Sequence, residues 1–469
     1  MTVTRRLFGA AAIAVAGTLL AGCATAPSAA NYPPIVFVHG NGDSAALWQT
    51  TLWRFESNGW PAERLHAIDM PYPLARDVDA TPQPGRSSTV ESADFLKREV
   101  EKILRTSGAD KVVLVGNSRG GYAIRSYLQN GGGSDKVSHA VLGGTPNHGA
   151  WAIKGFREDS EFSGTGPFLT ALNAPKNAVG DEVTGPVRWM TIRSNNNDKF
   201  AQPDGLWIGA KGTPTNVTFD GPALKGATNI VLQGVDHRET SFSPAAFFAM
   251  HQFITGKAPQ IQTITDQNSI VLSGKLTGSG LNPLQPATGN YVNNLPLPGA
   301  QLDIYATDTA TGARLGASLY SKTVSADGLW GPFTARPGTA YEFAVQAPGY
   351  AVTHVYRSAF ARSSSIVNVR AERLTDADKA AAASITLTRP RGYFDAQRDQ
   401  MMFDGQKALP GVPAMGAGVS SSKILLPITA GTTAQRAISA EFNGEKITGQ
   451  TWPAKDAAGG HATILELTY

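Results

Sequence analysis

The sequence predicts a doubly wound, mostly parallel α/β sheet up to about residue 256, followed by an all-β region built as a sandwich or barrel. Three observations carry this. Short continuous apolar runs alternate with helix-spaced stretches as far as Gly256, the pattern of strands buried on both faces and joined by crossover helices. Beyond that point short alternating segments recur between Gly-, Pro- and Asn-rich turns. Charged residues make up only 17% of the chain, against 50 Gly and 29 Pro, which favours many turns and argues against a coiled coil or a charge-driven disordered chain.

Residues 1–22 read as an export signal. Arg5 and Arg6 precede an uncharged run from Leu7 to Leu20, too short for a comfortable membrane span and followed by polar sequence. Thr4-Arg5-Arg6-Leu7-Phe8 resembles a twin-arginine signal. Leu20-Ala21-Gly22-Cys23 matches the bacterial lipobox, so Cys23 is expected to be acylated and to anchor the mature protein to a membrane. Ala24 after Cys23 suggests the outer membrane in a Gram-negative host. Cys23 is the only cysteine, which excludes an intrachain disulfide and a Cys-based zinc site. A net charge of +4 with no Lys/Arg-rich block argues against a nucleic-acid partner.

Residues 23–32 form an Ala/Ser/Pro tether. Ile35-Val36-Phe37-Val38 is the first strand and ends at the turn His39-Gly40-Asn41-Gly42. Arg64 to Asp69 reads as a second strand. Ser88-Thr89-Val90-Glu91 is a capping box opening a helix, with Val90, Ala93, Leu96, Val100, Ile103 and Leu104 at helical spacing and Gly108 closing it. Val112–Val115 is the next buried strand, and a helix runs from about Gly120 to Gln129. Further strands are expected at Ala140–Leu142, Met190–Ile192 and Ile230–Leu232. A last helix begins at the cap Ser243 with Pro244 in its first turn. The catalytic domain is thus expected to span 33–256, with a lid at about 150–186. A β-sandwich-like domain follows at 257–390, and a β-rich segment at 391–469. Within the sandwich, Gly299 to Tyr305, Asp327-Gly328 and Pro348-Gly349-Tyr350 resemble transthyretin-like modules.

Gly116-Asn117-Ser118-Arg119-Gly120 fits G-x-S-x-G directly between a buried strand and a helix, the context in which the serine sits on a strained turn with its Oγ exposed. A serine nucleophile needs a base, and the base needs an orienting carboxylate. His237, in the loop after the last strand, is the candidate base. His148 is the runner-up, with pocket lining its blander role. Asp198 follows the Met190–Ile192 strand and is the candidate acid; Asp204 is the alternative. Asp236 is less suitable, because sequence neighbours in an extended loop point apart. Backbone N–H groups of Asn41 and Arg119 are the expected oxyanion hole, with His39 buttressing its turn. Trp48, Trp53, Phe55, His148, Trp151 and Phe156 are candidate pocket or lid residues.

Together these motifs resemble bacterial lipases and esterases of the α/β-hydrolase fold over about residues 33–256. The second half is similar to the C-terminal β-domain of a two-domain archaeal lipase, notably at Leu302-Asp303-Ile304-Tyr305 and from Tyr356 to Arg362. The resemblance implies a serine hydrolase of carboxylic esters, an ester or lipid substrate, and no metal or organic cofactor. Two departures from G-H-S-x-G stand out: Asn117 for His, and Arg119, which would place a cation near the pocket mouth. An amidase or peptidase on the same triad, or a non-catalytic surface-binding lipoprotein, are the alternative readings.

Overall fold

Six strands form one wholly parallel sheet in the first half of the computed structural model, which describes residues 32–469 apart from 290, 414–417, 429–434 and 457–458. The expected export signal and Cys23 lie outside the described residues. The strands are β1 (Ile35–Val38), β2 (Leu65–Ile68), β3 (Val112–Asn117), β4 (Val137–Gly143), β5 (Arg188–Ser194) and β6 (Thr228–Leu232). Their order is β6-β5-β4-β3-β1-β2. β1 shows why the apolar runs are continuous. Val36 and Val38 point into a core shared with α2 (Thr89–Ser107) and α3 (Arg119–Asn130), while Ile35 and Phe37 point into a second core on the other face. A strand covered on both faces has no polar side to alternate with.

The helix signals act as physical chemistry requires. Ser88 Oγ accepts from Glu91 N–H and the Glu91 carboxylate accepts from Ser88 N–H, satisfying two orphan donors of α2. α2 buries Ala93, Leu96, Val100 and Ile103, but Val90 lies on its exposed side. Ser243 caps the last helix of the first half (Pro244–Thr255), which stops at left-handed Gly256. Among the elements not anticipated is the nine-residue helix α1 (Gln49–Ser57). Its aromatic residues face two different surroundings, which blurs any single apolar stripe. Phe55 packs on the sheet beside Phe37 and Phe247, and Trp48, just before the helix, packs on Phe37. Trp53 faces the opposite way.

The second half is a sandwich. Strands at Ile270–Gly278, Leu329–Ala335 and Val369–Ala371 form one three-stranded sheet. It shares a core with a seven-stranded sheet through Leu272, Trp330, Phe333, Leu302, Phe343 and Val345. The seven-stranded sheet crosses the break expected near 391. Its strand His461–Glu466 lies between Val352–Arg357 and Ala383–Thr388, parallel to both. A further three-stranded sheet covers its outer side. Among the described residues, no helix is long and apolar enough to cross a membrane.

The two halves are packed together through α1. Trp53 is buried in the sandwich core, and its Nε1–H donates to Ser363 O at 2.8 Å. Arg362 pairs with Glu56 at 2.9 Å. Arg391 is fully buried and donates to Gln49 Oε1 at 2.8 Å and to Leu467 O at 3.0 Å. We therefore expect Trp53→Ala to cost about 3–5 kcal/mol and to split one cooperative thermal unfolding transition into two. Calorimetry checks this; a single transition at an unchanged midpoint would contradict the interface role.

Candidate active site

β3 ends in a reversal that only a short list of residues permits. Ser118 has φ 52 and ψ −121, and α3 begins at the next residue. Such a conformation costs a non-glycine residue roughly 1–3 kcal/mol and persists only where its surroundings hold it. They do here. Ser118 N–H donates to Gly143 O at 2.8 Å, and Thr145 Oγ1 donates to Ser118 O at 3.0 Å. The flanking glycines are needed for space: a Cβ on Gly120 would lie 2.3 Å from Val38 O, and one on Gly116 2.7 Å from Ile124 Cδ1. The turn therefore brings the strand, the helix and the end of β1 into backbone contact. Asn117 ties the same turn to the histidine loop, since its Nδ2 donates to His237 O at 3.2 Å and to Ser241 Oγ at 2.8 Å.

Asp198 and His237 meet in a buried pair. His237 Nδ1–H donates to Asp198 Oδ2 at 2.8 Å, and Asp198 Oδ1 accepts from Phe200 N–H at 2.8 Å. This bond keeps the proton on Nδ1 and leaves Nε2 as an acceptor in the neutral ring. Phe200 stacks edge-on against the imidazole with centroids 4.7 Å apart. His237 and Ser118 line one cavity of about 280 Å³. Asp204 is elsewhere. It is exposed, and its carboxylate accepts from Leu206 and Gly212 N–H groups, which shapes a small hairpin.

The turn after β1 reaches the same cavity through Asn41. The Asn41 side chain is occupied elsewhere, accepting from Ala75 N–H at 2.8 Å. Arg119, as the first residue of α3, has no i−4 carbonyl for its N–H. His39 holds the turn from behind. Its Nδ1–H donates to Gly40 O at 2.9 Å and its Nε2 accepts from Met70 N–H at 3.0 Å. Burial pushes its pKa down, in keeping with a neutral ring making both bonds. Asp43, in the same turn, forms a bidentate pair with Arg238, so the turn is tied to the residue following His237.

Several expected pocket residues lie elsewhere. Trp48, Trp53 and Phe55 are core, as described above. His148 faces a neighbouring cleft that shares Pro146 and Phe200 with the Ser118 cavity, and its Nε2 lies 3.2 Å from Glu182. Trp151 does line the Ser118 cavity, but Phe156 supports it instead. The Phe156 carbonyl accepts from Trp151 Nε1–H at 3.1 Å and its ring packs edge-on against the indole. The guanidinium of Arg119 is not at the mouth. It is buried and forked onto Glu161 at 2.7 and 2.8 Å, with further bonds to Ser87 O and Oγ. The cation at the cavity wall is instead Arg157, exposed and stacked on Phe156.

Sequence reasoning missed the C-terminal contribution. Tyr393 lines the cavity, and Lys199 sits among Phe200, Trp207 and Tyr393. Burial, with Arg238 nearby, pulls Lys199 down to about 8, while burial pushes the Tyr393 phenol up. Behind the histidine, the Asp236 carboxylate accepts from the N–H groups of Arg238, Glu239 and Tyr393 and from Arg389 Nη1. No sequence signal links positions some 150 residues apart, so this contact was not visible beforehand.

The Arg119–Glu161 fork generates a prediction. Burial pushes the Glu161 pKa up and Arg119 pulls it back. Glu161→Ala would strand a buried guanidinium beside the serine turn, at a cost of about 3–5 kcal/mol. Urea unfolding checks this; a change below about 1 kcal/mol would mean the pair acts as an exposed one does.

Comparison with known proteins covers both halves. Residues 33–161 match the family model "alpha/beta hydrolase fold", and residues 268–374 match "Lipase C-terminal domain". Among solved structures, the Bacillus licheniformis lipase BlEst2 in its propeptide form is 16% identical, covers 92% of this chain and 96% of its own, and has a TM-score of 0.36. Aspergillus fumigatus lipase B is 15% identical with a TM-score of 0.34; the match covers 50% of this chain and 54% of that one, so this chain spans about half of its length. The Bacillus subtilis carboxylesterase CesB is 14% identical, covering 48% of this chain and 85% of its own at a TM-score of 0.28. The chain thus joins a segment that matches the α/β hydrolase fold to one that matches a lipase C-terminal domain.

Proposed function

We propose that the protein hydrolyses carboxylic esters through a Ser118–His237–Asp198 triad and an acyl-enzyme. The observation that carries this reading is the buried Asp198–His237 pair, whose histidine lines the cavity that Ser118 enters from its strained turn. In this reading His237 Nε2 takes the Ser118 proton as Oγ attacks the ester carbonyl, then returns it to the leaving alcohol. Asp198 holds the tautomer and offsets the charge of the imidazolium. The N–H groups of Asn41 and Arg119 stabilise the oxyanion, each donor contributing roughly 3–4 kcal/mol in the transition state. Water, activated by the same histidine, releases the acid.

The apolar part of the lining, Trp151, Phe162, Phe200, Trp207 and Ile208, suits an acyl group. The proposal includes membrane anchoring of the exported protein through acylated Cys23. It rests on the lipobox alone; loss of palmitate labelling in Cys23→Ala would be its direct support.

The triad is tested by substitution. Ser118→Ala should abolish labelling by a fluorophosphonate and lower p-nitrophenyl ester turnover by at least about 10⁴-fold. Asp198→Asn should cost about 10⁴-fold, through loss of the tautomer, whereas Asp204→Asn should cost less than about tenfold, as a surface change does. Equal losses at Asp198 and Asp204, or labelling that survives Ser118→Ala, would overturn the assignment.

A further inference from the structure

We infer that Tyr393, supplied by the C-terminal domain, is the specificity-determining wall of the Ser118 cavity and restricts the substrate's acyl group to a short chain or a single aryl ring. This rests on the ester-hydrolase reading and deepens it. Tyr393 lies beyond the 268–374 segment that matches the C-terminal domain model, so it is a property of this chain's own geometry.

The cavity is small. At about 280 Å³ it falls at the lower edge of the roughly 300–1,000 Å³ found for small-molecule sites. Its walls are large and rigid side chains, Trp151, Phe162, Phe200, Trp207 and Tyr393. A long acyl chain kept within this cavity would need one of them to move, and Tyr393 is held through both its backbone and its ring. Its N–H donates to Asp236 Oδ2 at 2.7 Å and its carbonyl accepts from Arg389 Nη1 at 2.6 Å. Two cations hold the ring, with Lys199 Nζ 3.9 Å and Arg238 Cζ 4.9 Å from its centroid. Both cations are themselves fixed, Lys199 by Gly418 O at 3.0 Å and Arg238 by Asp43. Cation–π contacts out of water are strong enough to matter here. Trp207 is backed by the same domain, because a Cβ on Gly418 would lie 2.0 Å from its ring. The C-terminal domain therefore supplies one wall and braces another.

The test measures kcat/KM for p-nitrophenyl acetate, butyrate, octanoate and decanoate with the full chain and its Tyr393→Ala, Tyr393→Leu and Tyr393→Phe variants, each checked for folding by circular dichroism. The wild type should lose at least about tenfold between butyrate and decanoate. Tyr393→Ala should raise the decanoate-to-butyrate ratio by at least about tenfold, mainly through KM, and Tyr393→Phe should keep the wild-type ratio. Should Tyr393→Ala fail to fold, Tyr393→Leu, which keeps more of the buried side-chain volume, decides by the same direction of change. A ratio unchanged in the folded variants, or a wild type that prefers decanoate, overturns this inference alone. No turnover of any ester by the wild type overturns the ester-hydrolase reading and this inference with it.

Discussion

The Asp236 carboxylate has no exposure to water, and the groups that satisfy it come from both halves of the chain. Oδ1 accepts from Arg238 and Glu239 N–H groups of its own loop, at 2.8 and 2.9 Å. Oδ2 accepts from Tyr393 N–H and Arg389 Nη1 of the C-terminal half, at 2.7 and 3.0 Å. An unpaired carboxylate at this depth would be prohibitively costly. The loop that presents His237 and the surface that presents Tyr393 are therefore held in one arrangement. Glu239, pushed up by burial and by Asp236, is met by Arg389 and Arg398. Acidic groups behind the histidine thus face basic groups of the sandwich.

From that contact the rest of the site follows by short steps. Arg238 carries the fixed loop across to Asp43 in the turn after β1. Asn117 carries it to the serine turn. Asp198 meets the ring from the end of β5. Four loops at the carboxyl ends of β1, β3, β5 and β6 are thereby locked to one another, at the place where open parallel sheets hold ligands. The strain at Ser118 persists because its N–H and carbonyl are both bonded, to Gly143 and Thr145.

Much of this was legible from local chemistry. The apolar runs named the six strands, the Ser88–Glu91 box and Gly108 named the ends of α2, and strand–G-x-S-x-G–helix named the turn. The readings that failed did so where a long-range contact decides. Arg119 looked like a mouth cation because nothing near it in sequence announces Glu161. Trp48 and Trp53 looked like pocket residues because an aromatic after a functional turn reads alike whether it faces ligand, sheet or another domain. α1 was missed because its face toward the sandwich and its face toward the sheet sum to no single stripe. The boundary near 391 dissolved because the strand His461–Glu466 inserts between strands more than 70 residues upstream, a parallel pairing that local periodicity does not encode. Asp236 is unsuitable as a triad acid on geometric grounds, and the partners of its Oδ2 lie in the half of the chain that the G-x-S-x-G and histidine motifs never reach.

The central claim is that the C-terminal sandwich fixes the histidine loop through Asp236. A double-mutant cycle with Asp236→Asn and Arg389→Met, read in both unfolding free energy and kcat/KM, tests it most directly. The account predicts a coupling of about 1–3 kcal/mol in both readouts. Effects that add to within about 0.5 kcal/mol in kcat/KM would contradict it, and would reduce the sandwich to a passive neighbour of the site.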